Sequence, residues 1–137
     1  MKKNKTYLFT HYVTYLTFIH GIGYWIYKYF LKVETEYGIR PHPLQEVWQA
    51  SHVLLSPLLV FAFGLLFKGH IWKMYKNAHH KRKTGITLTL SMVIMILSGY
   101  LVQVIYQVEA KQITAYVHIA ISVLFIFAYL IHHLFKR

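Results

Sequence analysis

Four long runs without charge govern what this chain can become. Thr6 to Tyr27 contains no Lys, Arg, Asp or Glu, and its apolar character continues to Leu31. Val47 to Phe67, Thr84 to Val108 and Gln112 to Phe135 are also uncharged. A helix needs about 20 residues to cross a bilayer, whereas strands of a membrane barrel are about half as long and alternate in polarity. All four runs therefore read as membrane-spanning helices, over about residues 7–31, 47–68, 84–108 and 112–135. Composition agrees: 56% of the 137 residues are hydrophobic and only 14% are charged, against about a quarter charged in soluble domains. The length allows one domain. The first run follows a basic Met1–Lys5 segment, as a secretory signal would, but it is too long and lacks a small-residue cleavage site. It reads as a retained span.

The basic residues set the orientation. Lys2, Lys3 and Lys5 precede the first span, Lys68, Lys73, Lys76, Lys81, Arg82 and Lys83 fill the loop between spans two and three, and Lys136 and Arg137 end the chain. The opposite side holds Lys28, Lys32, Arg40 and Lys111 together with all 4 acidic residues, so the net charge of +11 belongs to one face. Both termini and the central loop are expected to be cytoplasmic. The basicity reports topology and attraction to anionic lipid, and a nucleic-acid partner is not needed to explain it. Gly38, Pro41 and Pro43 interrupt the first outer loop, and a tight turn is expected at Glu109-Ala110-Lys111. The expected fold class is all-α, an up-down-up-down four-helix membrane bundle.

Histidine is the main clue to chemistry, because an ionisable side chain in hydrocarbon is costly and points to function. Of the 10 His, five fall within spans: His11, His20, His52, His118 and His132. His118 and His132 are fourteen residues apart, a rise of about 21 Å on nearly the same helix face. By depth, His52 is level with His118 near the outer face, and His11 with His132 near the cytoplasmic face. Each pair joins two helices. Bis-histidine haem requires two axial imidazoles from facing elements, whereas zinc wants four ligands at one level. The chain has no Cys, which removes thiolate metal sites, Fe–S clusters, disulfides and covalent haem attachment. The metal ligands expected are His11, His52, His118 and His132.

The segments "YVHIAISVLFIFAYLIHHLF" (116–135), "FTHYVTYLTFIHGIGYW" (9–25) and "LSGYLV" (97–102) resemble the fourth, first and third spans of the four-span di-haem membrane cytochromes b. That family includes the membrane subunits of formate dehydrogenase and nickel–iron hydrogenase and the small superoxide-oxidising cytochrome. The resemblance implies two non-covalent b haems, electron transfer across a bacterial-type cytoplasmic membrane, a quinone as small-molecule partner and a redox partner protein. Superoxide oxidation at the outer face is the alternative within the class. A non-haem four-helix membrane protein, such as a transporter or assembly factor using His as proton relays, is the alternative outside it. The chain is short for the family, and His20 and His70 are additional.

The remaining features have plainer readings. His20 lies on the opposite side of its helix from His11 and is structural, quinone-related or a reserve ligand. His70, beside Lys68, reads as a solvated interfacial residue, as does His133, and the tract from His79 to Lys83 as a basic loop. Gly21, Gly23, Gly64 and Gly99 permit close helix packing or leave room for a flat macrocycle. Pro57 is expected to kink span two, and Trp48, Trp72 and Tyr75 are interfacial anchors. Arg40 and His42, in "GIRPHPLQ" (38–45), are expected over the outer haem, with Arg40 pairing with a propionate. The alternative for Arg40 is a weak solvated pair with Glu34 or Glu36.

Overall fold

The computed structural model describes residues 2–77 and 82–134. The elements in chain order are α1 (Lys2–Tyr29), β1 (Lys32–Thr35), β2 (Gly38–Pro41), α2 (Leu44–Leu66), a π-helical turn (Phe67–Ile71), α3 (Trp72–Asn77), α4 (Arg82–Val104) and α5 (Val108–Leu134). The chain is thus almost entirely helical. It divides into two compact units, Met1–Phe67 and Lys68–Arg137.

In the first unit α1 packs on α2. Their connection is an antiparallel β-hairpin with Val33 opposite Arg40 and Thr35 opposite Gly38. The sequence predicts a loop interrupted by Gly38, Pro41 and Pro43 here, without a strand pair. Val33, Thr35 and Ile39 are β-branched, which favours extended backbone, and Gly38 turns the chain at φ +104, where side chains other than glycine are strained. Charge is matched to the helix ends: Lys28 lies in the last turn of α1 and Glu46 in the first turn of α2, each favourable against the helix dipole. Pro57 sits inside α2.

In the second unit α4 packs on α5. The turn between them is Ile105–Gln107, upstream of the expected Glu109–Lys111. Glu109 instead occupies the first turn of α5, where a carboxylate stabilises the N-terminal dipole. The basic segment 78–81, and with it His79, His80 and Lys81, lies outside the described residues, as do Phe135, Lys136 and Arg137.

Three helical segments are long and apolar enough to cross a membrane: Leu44–Asn77, Arg82–Val104 and Val108–Leu134. α1 falls short of that standard although Thr6–Tyr27 is uncharged. Its faces carry four Thr (6, 10, 14 and 17), six Tyr (7, 12, 15, 24, 27 and 29), His11 and His20, which lower its mean hydropathy without adding charge. The distribution of polarity is inverted relative to a water-soluble domain. Thr10, Thr14, Thr17, Ser91 and Ser98 are buried, while Leu54 is 74% exposed and Phe127 61% exposed. The buried hydroxyls of Thr10, Ser91 and Ser98 donate to carbonyls one turn back, those of Thr6, Thr87 and Ile94. The helix faces turned inward thus carry small hydroxyl residues beside Met92, Phe125, Ile126 and Tyr129, and those turned outward are apolar.

Candidate metal or cofactor site

The helix pair α4–α5 carries a repeated arrangement. At one level, Ser98 Oγ lies 2.9 Å from His118 Nδ1. At the next, Thr84 Oγ1 lies 2.9 Å from His132 Nδ1. Ser98 and Thr84 are fourteen residues apart, as are His118 and His132, so the antiparallel helices keep one register over about 21 Å. A glycine follows each hydroxyl residue. A Cβ on Gly99 would stand 3.3 Å from His118 Cε1, and one on Gly85 would stand 3.8 Å from His132 Cε1. Small residues here let the imidazoles lie close to the α4 backbone.

Hydrogen bonding fixes the tautomer of His118. The Ser98 hydroxyl donates to Ile94 O at 2.7 Å, so its oxygen is the acceptor for His118 Nδ1–H. The lone pair of the ring then resides on Nε2, the form in which imidazole binds metals. Metal-ligating histidines typically have their other nitrogen held in this way.

The first unit repeats the device with a carbonyl. His52 Nδ1–H donates to Thr17 O at 3.1 Å, which again puts the lone pair on Nε2. The ring rests against Gly21, where a Cβ would come within 3.0 Å of Cε1. Beside it, the Thr17 hydroxyl is buried and has no hydrogen-bond partner among the described residues.

Other histidines are used differently. His42 Nδ1 accepts the Leu44 N–H at 3.1 Å, which satisfies an otherwise unpaired amide in the first turn of α2 and puts its proton on Nε2. His20 Nδ1–H donates to Leu16 O at 2.8 Å, and its ring lies 5.2 Å from that of Trp48. Trp48 also stacks on Tyr27 and covers Gly23, so it packs α2 against α1 as well as being an aromatic near a helix end. His133 stacks on Tyr129, which stacks on Phe125. This intrahelical aromatic column was not anticipated for a residue expected to face headgroups. His70 lies in the π-helical turn with its ring 6.4 Å from that of His132. Arg40 is exposed on the hairpin, with its guanidinium 5.5 Å from the centre of the Tyr37 ring.

Each expected ligand pair draws one histidine from either unit: His52 with His118, and His11 with His132. His11 lies on α1, beside the buried Thr10. Among the described residues, no three or more of His, Asp and Glu converge on one point. Sequence reasoning missed Ser98, Thr84 and Thr17 as partners. The first two had a readable signal, since Thr84-Gly85 and Ser98-Gly99 repeat at the same fourteen-residue step as the histidines they hold.

No family model matches the chain. No curated protein and no solved structure matches it either.

Proposed function

We propose that the protein is an integral-membrane di-haem cytochrome b that carries electrons across the bilayer. The observation that carries this reading is the ladder of Ser98–His118 and Thr84–His132. It consists of two imidazoles on one helix face, about 21 Å apart, each tethered through Nδ1. In hydrocarbon a histidine without a task is costly, and two tethered at one register are hard to explain by packing. The resemblance of residues 9–25, 97–102 and 116–135 to the four-span di-haem cytochromes supports it. So do the three segments long enough to cross a membrane and the apolar exterior of the helices. In this reading α1 is the fourth span, the helices form one bundle, and both termini are cytoplasmic.

The residues present fit haem. Tethering places the ligating lone pair of His118 and His52 on Nε2, and Gly99 and Gly21 keep bulk away from the rings. His52 and His118 would hold the haem nearer the outer face, and His132 would anchor the one nearer the cytoplasm. Haem supplies a one-electron carrier, with its potential tuned by ligands and surroundings. The chain's own contribution is to fix imidazole orientation, exclude water with apolar faces and set two sites across the membrane. A quinone and a redox partner protein are the expected exchange partners, in a bacterial-type cytoplasmic membrane.

The test is direct. Purified in detergent, the protein should be red and give two haems per chain in the pyridine haemochrome assay. With no Cys, acid–acetone should extract all of it. A colourless protein would exclude the cytochrome and leave histidine-based proton relay as the reading to pursue.

A further inference from the structure

We propose that His70, in the π-helical turn, would hold the haem nearer the cytoplasm together with His132, in the place that the sequence alone gives to His11. The assignment rests on the di-haem reading above and specifies one of its two sites.

The ring centres of His70 and His132 are 6.4 Å apart, with planes at 81°. Metal–imidazole nitrogen bonds are about 2.0 Å. The centre of an imidazole ring lies a little over 1 Å behind its nitrogen, so two imidazoles on opposite sides of one metal have centres roughly 6 Å apart. The observed separation matches a bis-imidazole site. Edge-to-face ring pairs have similar separations, and what favours the metal site is the tethering of His132 and the position of His70. The angle between the planes is unrestricted, because rotating either ring about its metal–nitrogen bond leaves the bond intact.

Three further observations agree. The ring of His132 is oriented by Thr84 Oγ1 at 2.9 Å, as expected for a ligand whose second nitrogen is held. His70 and Ile71 are half-buried, while Phe67, Lys68 and Gly69 before them are exposed, so His70 is the metal-ligating residue type on the protein-facing side of this turn. It also belongs to a π-helical turn, a rare feature that recurs at functional sites because the extra residue re-aims a side chain. No third His, Asp or Glu joins the pair among the described residues. Haem iron needs only two protein ligands.

The experiment compares His70→Ala, His11→Ala and His132→Ala in the purified full-length chain. It measures haem per chain and the low-spin signal in electron paramagnetic resonance. The expected result is that His70→Ala and His132→Ala each lose one haem of two, or convert it to high spin, while His11→Ala keeps two low-spin haems. Adding free imidazole to His70→Gly should restore the lost low-spin signal, which separates loss of a ligand from misfolding. Two low-spin haems in His70→Ala, with one lost in His11→Ala, would overturn the assignment and leave the di-haem reading standing. A wild-type protein without haem would overturn that reading and this assignment with it.

Discussion

Gly23 shows how closely α1 and α2 approach each other. A Cβ built there would lie 2.6 Å from Trp48 Cδ2 and Cζ3, a separation real atoms do not tolerate. The indole has little freedom to yield, since Tyr27 stacks on it and the His20 ring lies 5.2 Å away. Overpacking a fitted site costs about 1–3 kcal/mol. Gly23→Ala should therefore lower the thermal unfolding midpoint in detergent, followed by circular dichroism. Gly64 makes the control, because nothing lies within 4 Å of its Cβ position, and replacing a helical glycine by alanine there should be neutral or stabilising by about 0.5–1 kcal/mol. Equal midpoints for the two variants would mean that Trp48 is not held against α1. The same scale sorts the histidines. His52 and His118 use Nδ1 as a donor, whereas His42 uses Nδ1 as an acceptor to cap α2. One residue type thus performs two tasks, separable only by where its proton lies.

Across the α4–α5 pair, the two hydroxyl–histidine contacts are independent because about 21 Å of helix separates them. Loss of a group that orients a metal ligand typically costs 10–100-fold in metal affinity, and effects at well-separated sites add. On the di-haem reading, Ser98→Ala should speed the loss of one haem to apomyoglobin by about that factor, and Thr84→Ala should speed the other. The double variant should show both changes at their single-variant size. If each single variant accelerated both phases equally, the hydroxyls would act on the helix pair as a whole and not on their own histidines. How much of this was legible in the sequence differs by element. The three segments long and apolar enough to span a membrane were readable from missing charge alone, because hydrocarbon admits little else. Their ends were less so: the α4–α5 turn falls at Ile105–Gln107 because Glu109 gains from the helix N-terminus. The β-hairpin at Lys32–Pro41 was hidden by its polar composition, with only Gly38 and the β-branched residues to mark it. The π-helical turn left no trace, since an extra residue within a helix changes neither length nor charge. His70 was accordingly read as a solvated residue, while its ring lies 6.4 Å from that of His132.

For the whole molecule, charge is the organising quantity. Of the 15 Lys and Arg, eleven fall in residues 2–5, 68–83 and 136–137, while the remaining four fall in residues 28–46 and 109–111, the stretches that also hold all 4 acids. Basic residues in short loops stay on the cytoplasmic side, and each near an anionic leaflet contributes roughly 1 kcal/mol. The two turns that carry no such excess present Tyr37, 84% exposed, and Tyr106, 96% exposed. With no native Cys, single cysteines can be placed at Tyr37, Tyr106, Lys76 and Lys5 and probed with a membrane-impermeant maleimide. In right-side-out vesicles Tyr37→Cys and Tyr106→Cys should label at once, and Lys76→Cys and Lys5→Cys only after permeabilisation. Each pair of sites tests one helix: Tyr37 against Lys76 tests α2, and Lys76 against Tyr106 tests α4. Lys5 against Tyr37 tests α1, the helix whose threonines and tyrosines make its hydropathy lowest. Immediate labelling of Lys5→Cys alone would make α1 a helix that does not cross the membrane. The di-haem reading would then lose its fourth span and His11 its place near the cytoplasmic face, while the α4–α5 histidine ladder would be untouched. Reversed labelling at all four positions would mean that the basic loops face outward, against the expectation from the charge rule.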